Sequence, residues 1–370
     1  DESESRGLGD VYKRQNETIV KKYPKSSYAL DAAFSVPVAY EKGKIWDKAA
    51  AAYVYFAKNY QKDKRKVIAS HYGAAKAYKQ LKNEKKAKVQ WQSTIDSFDK
   101  FGLKLNVNPT PAAEAAYELA MYKRAKMEAM KIAGKDKKKA KLTEKLTGIM
   151  GETIELLSKS ATYNTDKWTF KSTNEIGGLF VLVAKKVREQ ECPKNPEKKS
   201  ACQIQTAFTL PSFYEKGQEF FQKNIDIARE QGYYNPDVIN AEDNFVQMFY
   251  RKGEIFLQVA AAFRGAPLPK VSEDDALDMG YETAQQFLDE YQATIDEKAE
   301  GAEDQAMPQF AKCIEAAAFY KIKNDWSTNC QNQIKEINPD HEALKVTWDK
   351  FDPTTLFKDP IYFKAKARIE

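Results

Sequence analysis

"YPKSSYALDAAFSVPVAYEKGKIWDKAAAAYVYFAKNY", residues 23–60, decides the fold, because the chain then repeats its design. In "VIASHYGAAKAYKQLKNEKKAKVQWQSTIDSF", residues 67–98, Tyr40 recurs as Tyr78, Ala49 as Ala87 and Tyr53 as Trp91, each a step of 38 residues. The aromatics expected to end helices, Tyr23, Tyr60 and Phe98, keep nearly the same beat. A fixed period of about 20 to 50 residues is the mark of stacked supersecondary units, none of which can bury its apolar face alone. Val36 and Pro37 in the first unit, and Ala74 and Ala75 one period later in the second, are small or compact residues of the kind that lets two antiparallel helices cross. Close approach needs such residues, and the aromatic then fills the wedge toward the next helix. Pro37 costs about 3 kcal/mol inside a helix and bends it, so the first unit is expected to be irregular or to start its helix late.

These residues resemble the tetratricopeptide family, in the bacterial envelope form that carries Tyr23, Pro24, Ser26, Tyr28, Ala29 and Ala32 between units. The resemblance covers residues 16–101. It implies an all-α, right-handed solenoid of antiparallel helix hairpins without a sheet. It also implies a non-enzymatic scaffold that binds proteins or peptides, similar to outer-membrane assembly lipoproteins and the Tol-Pal coordinator, located in the periplasm or at the outer membrane. Carried over by position, the family's binding groove falls on Asp31, Phe34, Val38 and Glu41 in the first unit, and on Ala69, Tyr72, Lys76 and Lys79 in the second. A face mixing aromatics with charges suits an extended segment held by apolar anchors. The alternative is that the inner face packs against the chain's own later helices.

Residues 5–15 read as adapter read-through ahead of a truncated unit, making 1–15 a non-native leader; the alternative is an ordinary disordered N-terminus. The genuine chain is therefore expected to start near Asn16, upstream of which a signal peptide or lipid anchor would lie. Regular repeats are expected over 16–108, irregular tetratricopeptide-like hairpins over 109–350 and a C-terminal cap over 351–370. After "NVNPTP", helices are expected from Pro111 onward and up to "ETIELLSKS", then at 171–190, 211–231, 237–263, 273–297, 305–322 and 327–337. The breaks are "QGYYNP", "RGAPLPK", "EGAED" and "INPDH". The tail is expected to begin extended and end as a short helix.

Composition narrows the class. With 59 basic and 53 acidic residues the net charge is +6, too balanced to point to nucleic acid. No apolar run approaches the roughly 20 residues that span a bilayer. Charge is polarised locally: residues 121–145 hold ten Lys or Arg against three acids, and residues 272–304 hold twelve acids against Lys298 alone. Such polarity can steer charged partners or pair copies head to tail, though it also describes a solvated helix face. Cys192, Cys202, Cys313 and Cys330 form two local pairs, the first closing "CPKNPEKKSAC", a polar loop between helices, the second flanking "NDW" on two arms of a hairpin. Two disulfides in an oxidising compartment is one reading, and four reduced thiols is the other.

No cofactor or metal is expected, and no catalytic residue is assigned. The glycine-rich phosphate loop, HExxH, GxSxG and dinucleotide motifs are absent from the sequence. His71 lies at a core-facing position and His341 in a turn. Glu114, Glu118 and Glu128 lie on lysine-rich faces, where pairing across a helical turn is expected. Alternatives to the scaffold are a cytoplasmic adaptor with reduced thiols, a helical-toroid hydrolase using paired acids, and RNA binding through the lysine-rich 121–145 stretch.

Overall fold

The computed structural model describes residues 15–23, 26, 28–134, 136–190, 192–232 and 234–339. The expected leader, the 351–370 cap and His341 lie outside these residues, as does Pro24. Among the described residues every regular element is a helix. They are α1 (15–22), α2 (Ala29–Lys42), α3 (Trp46–Asn59), α4 (Lys64–Gln80), α5 (Glu84–Phe101), α6 (Thr110–Ala129) and α7 (Asp136–Thr162). There follow α8 (Asp166–Arg188), α9 (Pro196–Glu230), α10 (Pro236–Arg264), α11 (Glu273–Asp278), α12 (Ala284–Tyr320) and α13 (Asp325–Ile337). Consecutive helices pack as hairpins. The chain divides into two compact units, Asp1–Met127 with Ile149–Ser172, and Glu128–Gly148 with Thr173–Glu370.

In the first unit the 38-residue period is visible bond by bond. The backbone amide of Ile45 donates to the carbonyl of Tyr40 and that of Asn83 to Tyr78, both at 2.9 Å. Lys44 and Lys82 sit between them in the left-handed region, at φ 56° and 55°. This is the helix-ending turn that satisfies the last carbonyls of α2 and α4. Tyr40 and Tyr78 then lie under Lys48 and Lys86, with the ammonium 5.8 and 5.4 Å from the ring centre. Both tyrosines pack on the cluster of Ala49, Ala50 and Ala77. The units differ at the next helix start. Asn83 caps α5 by accepting from the Lys86 amide at 3.2 Å, whereas Ile45, its counterpart, supplies no side-chain cap to α3.

The close approach between helices rests on glycine as much as alanine. A Cβ on Gly73 of α4 would lie 2.6 Å from the Tyr53 ring of α3. The second unit uses the same contact twice: Gly177 of α8 lies under Phe221 of α9, and Gly253 of α10 under Phe310 of α12. Phe221 and Phe310 are completely buried, in an apolar cluster that joins α9, α10, α12 and α13.

Several expectations are corrected. Pro37 does not delay its helix; α2 runs from Ala29 to Lys42 with Pro37 buried in its interior. The helix expected at 211–231 is the second half of α9, which opens at Pro196, a first-turn position where proline's missing donor costs nothing. "CPKNPEKKSAC" is thus a short loop running into a helix, with Asn195 capping through the Lys198 amide. "EGAED" is not a break, because α12 continues through Gly301 and Pro308 to Tyr320. Glycine costs a helix about 1 kcal/mol, and burial of Ala299, Ala302 and Ala306 beside it outweighs that. Pro308 is exposed, which leaves the carbonyl it cannot bond free to meet water.

Both cysteine pairs are disulfides, with Cα–Cα distances of 5.7 Å for Cys192–Cys202 and 6.4 Å for Cys313–Cys330. The second ties α12 to α13 within the buried cluster.

The glycine contacts predict a mutational sign opposite to helix propensity. Gly253→Ala favours the isolated helix by about 1 kcal/mol, yet its Cβ would meet the Phe310 ring at 2.5 Å. Overpacking of this kind costs about 1–3 kcal/mol. Urea denaturation is expected to show net destabilisation for Gly253→Ala and none for Gly301→Ala, where a Cβ meets nothing within 4 Å.

Candidate functional site

The eight residues assigned to a groove all lie on α2 and α4 of the first unit, at helical spacing on each. Asp31 and Lys79 are exposed; the other six are half-buried. Phe34 turns inward to its own hairpin, edge-on to Tyr53 at 6.4 Å and Phe56 at 5.3 Å. Its repeat counterpart Tyr72 does the same against Trp91 at 5.8 Å. The aromatics therefore present an edge or a hydroxyl to the face and bury the rest of the ring.

The charged members are cross-linked from layer to layer. Glu41 of α2 accepts from Lys76 of α4 at 2.8 Å, and Asp31 of α2 pairs with Lys66 of α4. On the other side of α4, Lys79 pairs with Glu118 of α6 at 2.6 Å and Tyr72 donates to Glu114 at 2.8 Å. Glu114 and Glu118 thus bond across helices and not across their own turn, which departs from the sequence expectation. Lys76 also lies 5.1 Å from the centre of the Tyr72 ring. Val38 and Ala69 add small apolar surface between these pairs. Period alone could not find Glu114 and Glu118, because α6 begins after an irregular connection that breaks the 38-residue step.

Glu41 is the centre of this arrangement. Burial acts to raise its pKa, but hydrogen bonds from Lys76 and from the Tyr53 hydroxyl, with the Lys76 charge, outweigh burial and hold the carboxyl below its ordinary value of 4.5. Burial, and then the Glu41 carboxylate, push the Tyr53 phenol far above its ordinary range. Tyr72 is raised by burial first and by Glu114 next. Both phenols stay protonated donors at neutral pH. His71 meets its sequence expectation: it is half-buried and its Nδ1 lies 2.9 Å from the Gln90 side chain of α5.

Elsewhere the second unit holds a cavity of about 580 Å³ beside Cys192, lined by Arg188, Lys199, Gln203 and Thr206 among others, with no carboxylate among the described residues that line it. A shallower slot of about 420 Å³ lies between α10 and α12, floored by Phe245, Phe249 and Phe319. Among the described residues, no group of three or more His, Cys, Asp or Glu side chains could hold a metal ion, and no helix is long and apolar enough to cross a membrane.

Comparison with known proteins assigns no family. No family model matches the chain, and no curated protein matches it. Among solved structures it is similar to BtubC (BKLC) from P. vanneervenii, at 12% identity and a TM-score of 0.33, over 84% of this chain and 91% of that one. It is also similar to a computationally designed self-assembling cyclic homooligomer, at 14% identity and a TM-score of 0.23, over 83% of this chain and 98% of that one. Likeness at this level carries no conclusion about fold or function.

The ladder of pairs predicts an acid-sensitive term. Because the folded pKa of Glu41 lies below 4.5, the stability it supplies is complete above that value and is lost as pH falls through the folded one. Half-exposed pairs of this kind contribute less than about 1 kcal/mol. Glu41→Gln is expected to be less stable than the parent by up to that amount near neutral pH, and the gap is expected to close as pH falls below 4.5 through the lowered folded pKa. Denaturation curves across the range measure it.

Proposed function

We propose that the chain is a non-enzymatic, tetratricopeptide-like scaffold that binds an extended segment of a partner protein on the α2–α4–α6 face of its first unit. The single observation that carries this is that face: repeat-equivalent Phe34 and Tyr72, with the Lys76–Glu41 and Lys79–Glu118 pairs beside them, all at least partly open to solvent. Held hydrogen-bond donors and charges at fixed spacing offer a peptide both backbone and side-chain partners without a large ordering cost. The described residues lining the cavity beside Cys192 include no pair of facing acids of the kind that hydrolysis by a helical toroid would need.

We place the scaffold in the bacterial periplasm or at the outer membrane, serving envelope assembly, secretion or motility. Two disulfides support an oxidising compartment over a cytoplasmic adaptor with free thiols.

A photo-crosslinking residue placed at Val38, Ala69 or Lys76 in the native host is expected to give the same discrete adducts from all three positions. The same residue at exposed Gln92 of α5 is expected to give none of them. Adducts that do not distinguish the two faces would overturn the binding face. For the compartment, thiol titration of protein isolated from the host under alkylating conditions is expected to find no free sulfhydryl. Replacing Cys313 and Cys330 together by serine opens a loop of 17 residues and is expected to cost about 3 kcal/mol in thermal or urea unfolding.

A further inference from the structure

The second unit carries an exposed apolar and acidic arm that its own core does not explain. α11 and the first part of α12 leave Leu277 58% exposed, Met279 49% and Tyr291 36%. Tyr281, Phe287 and Tyr291 contact one another in succession, at 5.2 and 6.0 Å between ring centres. Around them, residues 272–304 bear twelve carboxylates and one cation. Glu303 has its partner in Arg264, but Asp274, Asp278, Glu282, Glu290 and Glu297 are exposed and no cation among the described residues pairs with them. Exposed apolar surface rimmed by one sign of charge marks an interaction site.

The complementary charge is on the same polypeptide. Lys137, Lys138, Lys141 and Lys145 of α7 are all exposed, occupy about two turns, and make no ion pair with the described residues. Leu142, half-buried, stands among them. No ion pair joins the two sets within one chain among the described residues. We propose that the occupant of the acidic arm is the lysine-rich start of α7 from a second copy of this chain, so that copies associate head to tail. Such a contact uses different surfaces on each partner, so it propagates to a ring or an open chain and does not stop at a two-fold dimer. The net charge of +6 is small enough that repulsion between copies does not oppose it strongly. The proposal is independent of the binding face on the first unit.

Sedimentation velocity of the full chain tests it. Reversible, concentration-dependent association is expected at about 0.01 M salt and at least about tenfold weaker association at 1 M, as the Debye length falls from about 30 Å to about 3 Å. A triple variant Asp274→Lys, Asp278→Lys, Glu282→Lys and a triple variant Lys137→Glu, Lys138→Glu, Lys141→Glu are each expected to be monomeric alone and to associate when mixed. Neutral versions, with Asn or Gln at the same positions, are each expected to be monomeric alone and to form only a one-to-one heterodimer when mixed, because the mixture keeps one native arm and one native α7 start, and circular dichroism checks that every variant keeps its helix. A parent that sediments as one species at all concentrations at low salt overturns the proposal and leaves the arm to a different basic partner. Variants that associate like the parent, or reversed variants that fail to associate on mixing, overturn it equally.

Discussion

The contact on which both units depend is an aromatic ring laid against a glycine of the neighbouring helix. Tyr53 over Gly73, Phe221 over Gly177 and Phe310 over Gly253 bring the backbones close enough that a single methyl group would collide. Each glycine weakens its own helix, by about 1 kcal/mol relative to alanine. The ring buried over it returns more, since burying one large apolar side chain contributes about 1.5–3 kcal/mol. The trade makes the helix pair stable while neither helix is optimised alone. It also sets the register of each pair, because the ring fits at one position only and slides onto a Cβ at the next.

Given that packing, the polar residues of the first unit have little choice. Hairpins held this close put α2, α4 and α6 side by side, and long side chains from one reach carboxylates on the next. Glu41 and Lys79 occupy equivalent repeat positions yet carry opposite charge. Glu41 therefore accepts from Lys76 of α4 while Lys79 donates to Glu118 of α6, so that α4 supplies the donors to both of its neighbours. A face whose charges are already paired does not attract ligands by net charge. A partner must exchange hydrogen bonds with it, which favours geometric match over long-range attraction.

Much of this was legible in the chain and some was not, for identifiable reasons. The period read from Tyr40, Ala49 and Tyr53 reappears as matching backbone bonds at 45 and 83, because turn geometry and small-residue placement are local and repeat with the sequence. The cysteine pairs were legible because both span short separations. Gly73 was passed over in favour of Ala74 and Ala75, since sequence alone does not say which small residue lies under the ring. The false break at "EGAED" has the opposite cause: glycine and acidic residues read as a turn, but burial on α10 carries the helix through. The bonds from Tyr72 and Lys79 to Glu114 and Glu118 were missed because those acids lie on α6, past the irregular connection where the repeat loses its step.

α12 shows how one long helix can serve two purposes. Its second half, from Ala299 to Tyr320, is tied into the buried cluster by Phe310 and by the Cys313 disulfide to α13. Its first half, with α11, keeps most side chains in solvent and an acid at nearly every exposed turn. Fourteen or so exposed residues do not hold a helix by propensity, because isolated helices of that length are marginal in water. The buried half acts as the nucleus from which the exposed half propagates, with Thr283 capping its start through the Gln286 amide. The Cys313–Cys330 bond thus supports, at a distance, a surface it does not touch, and loosening that hairpin should fray the acidic arm before it unfolds the core.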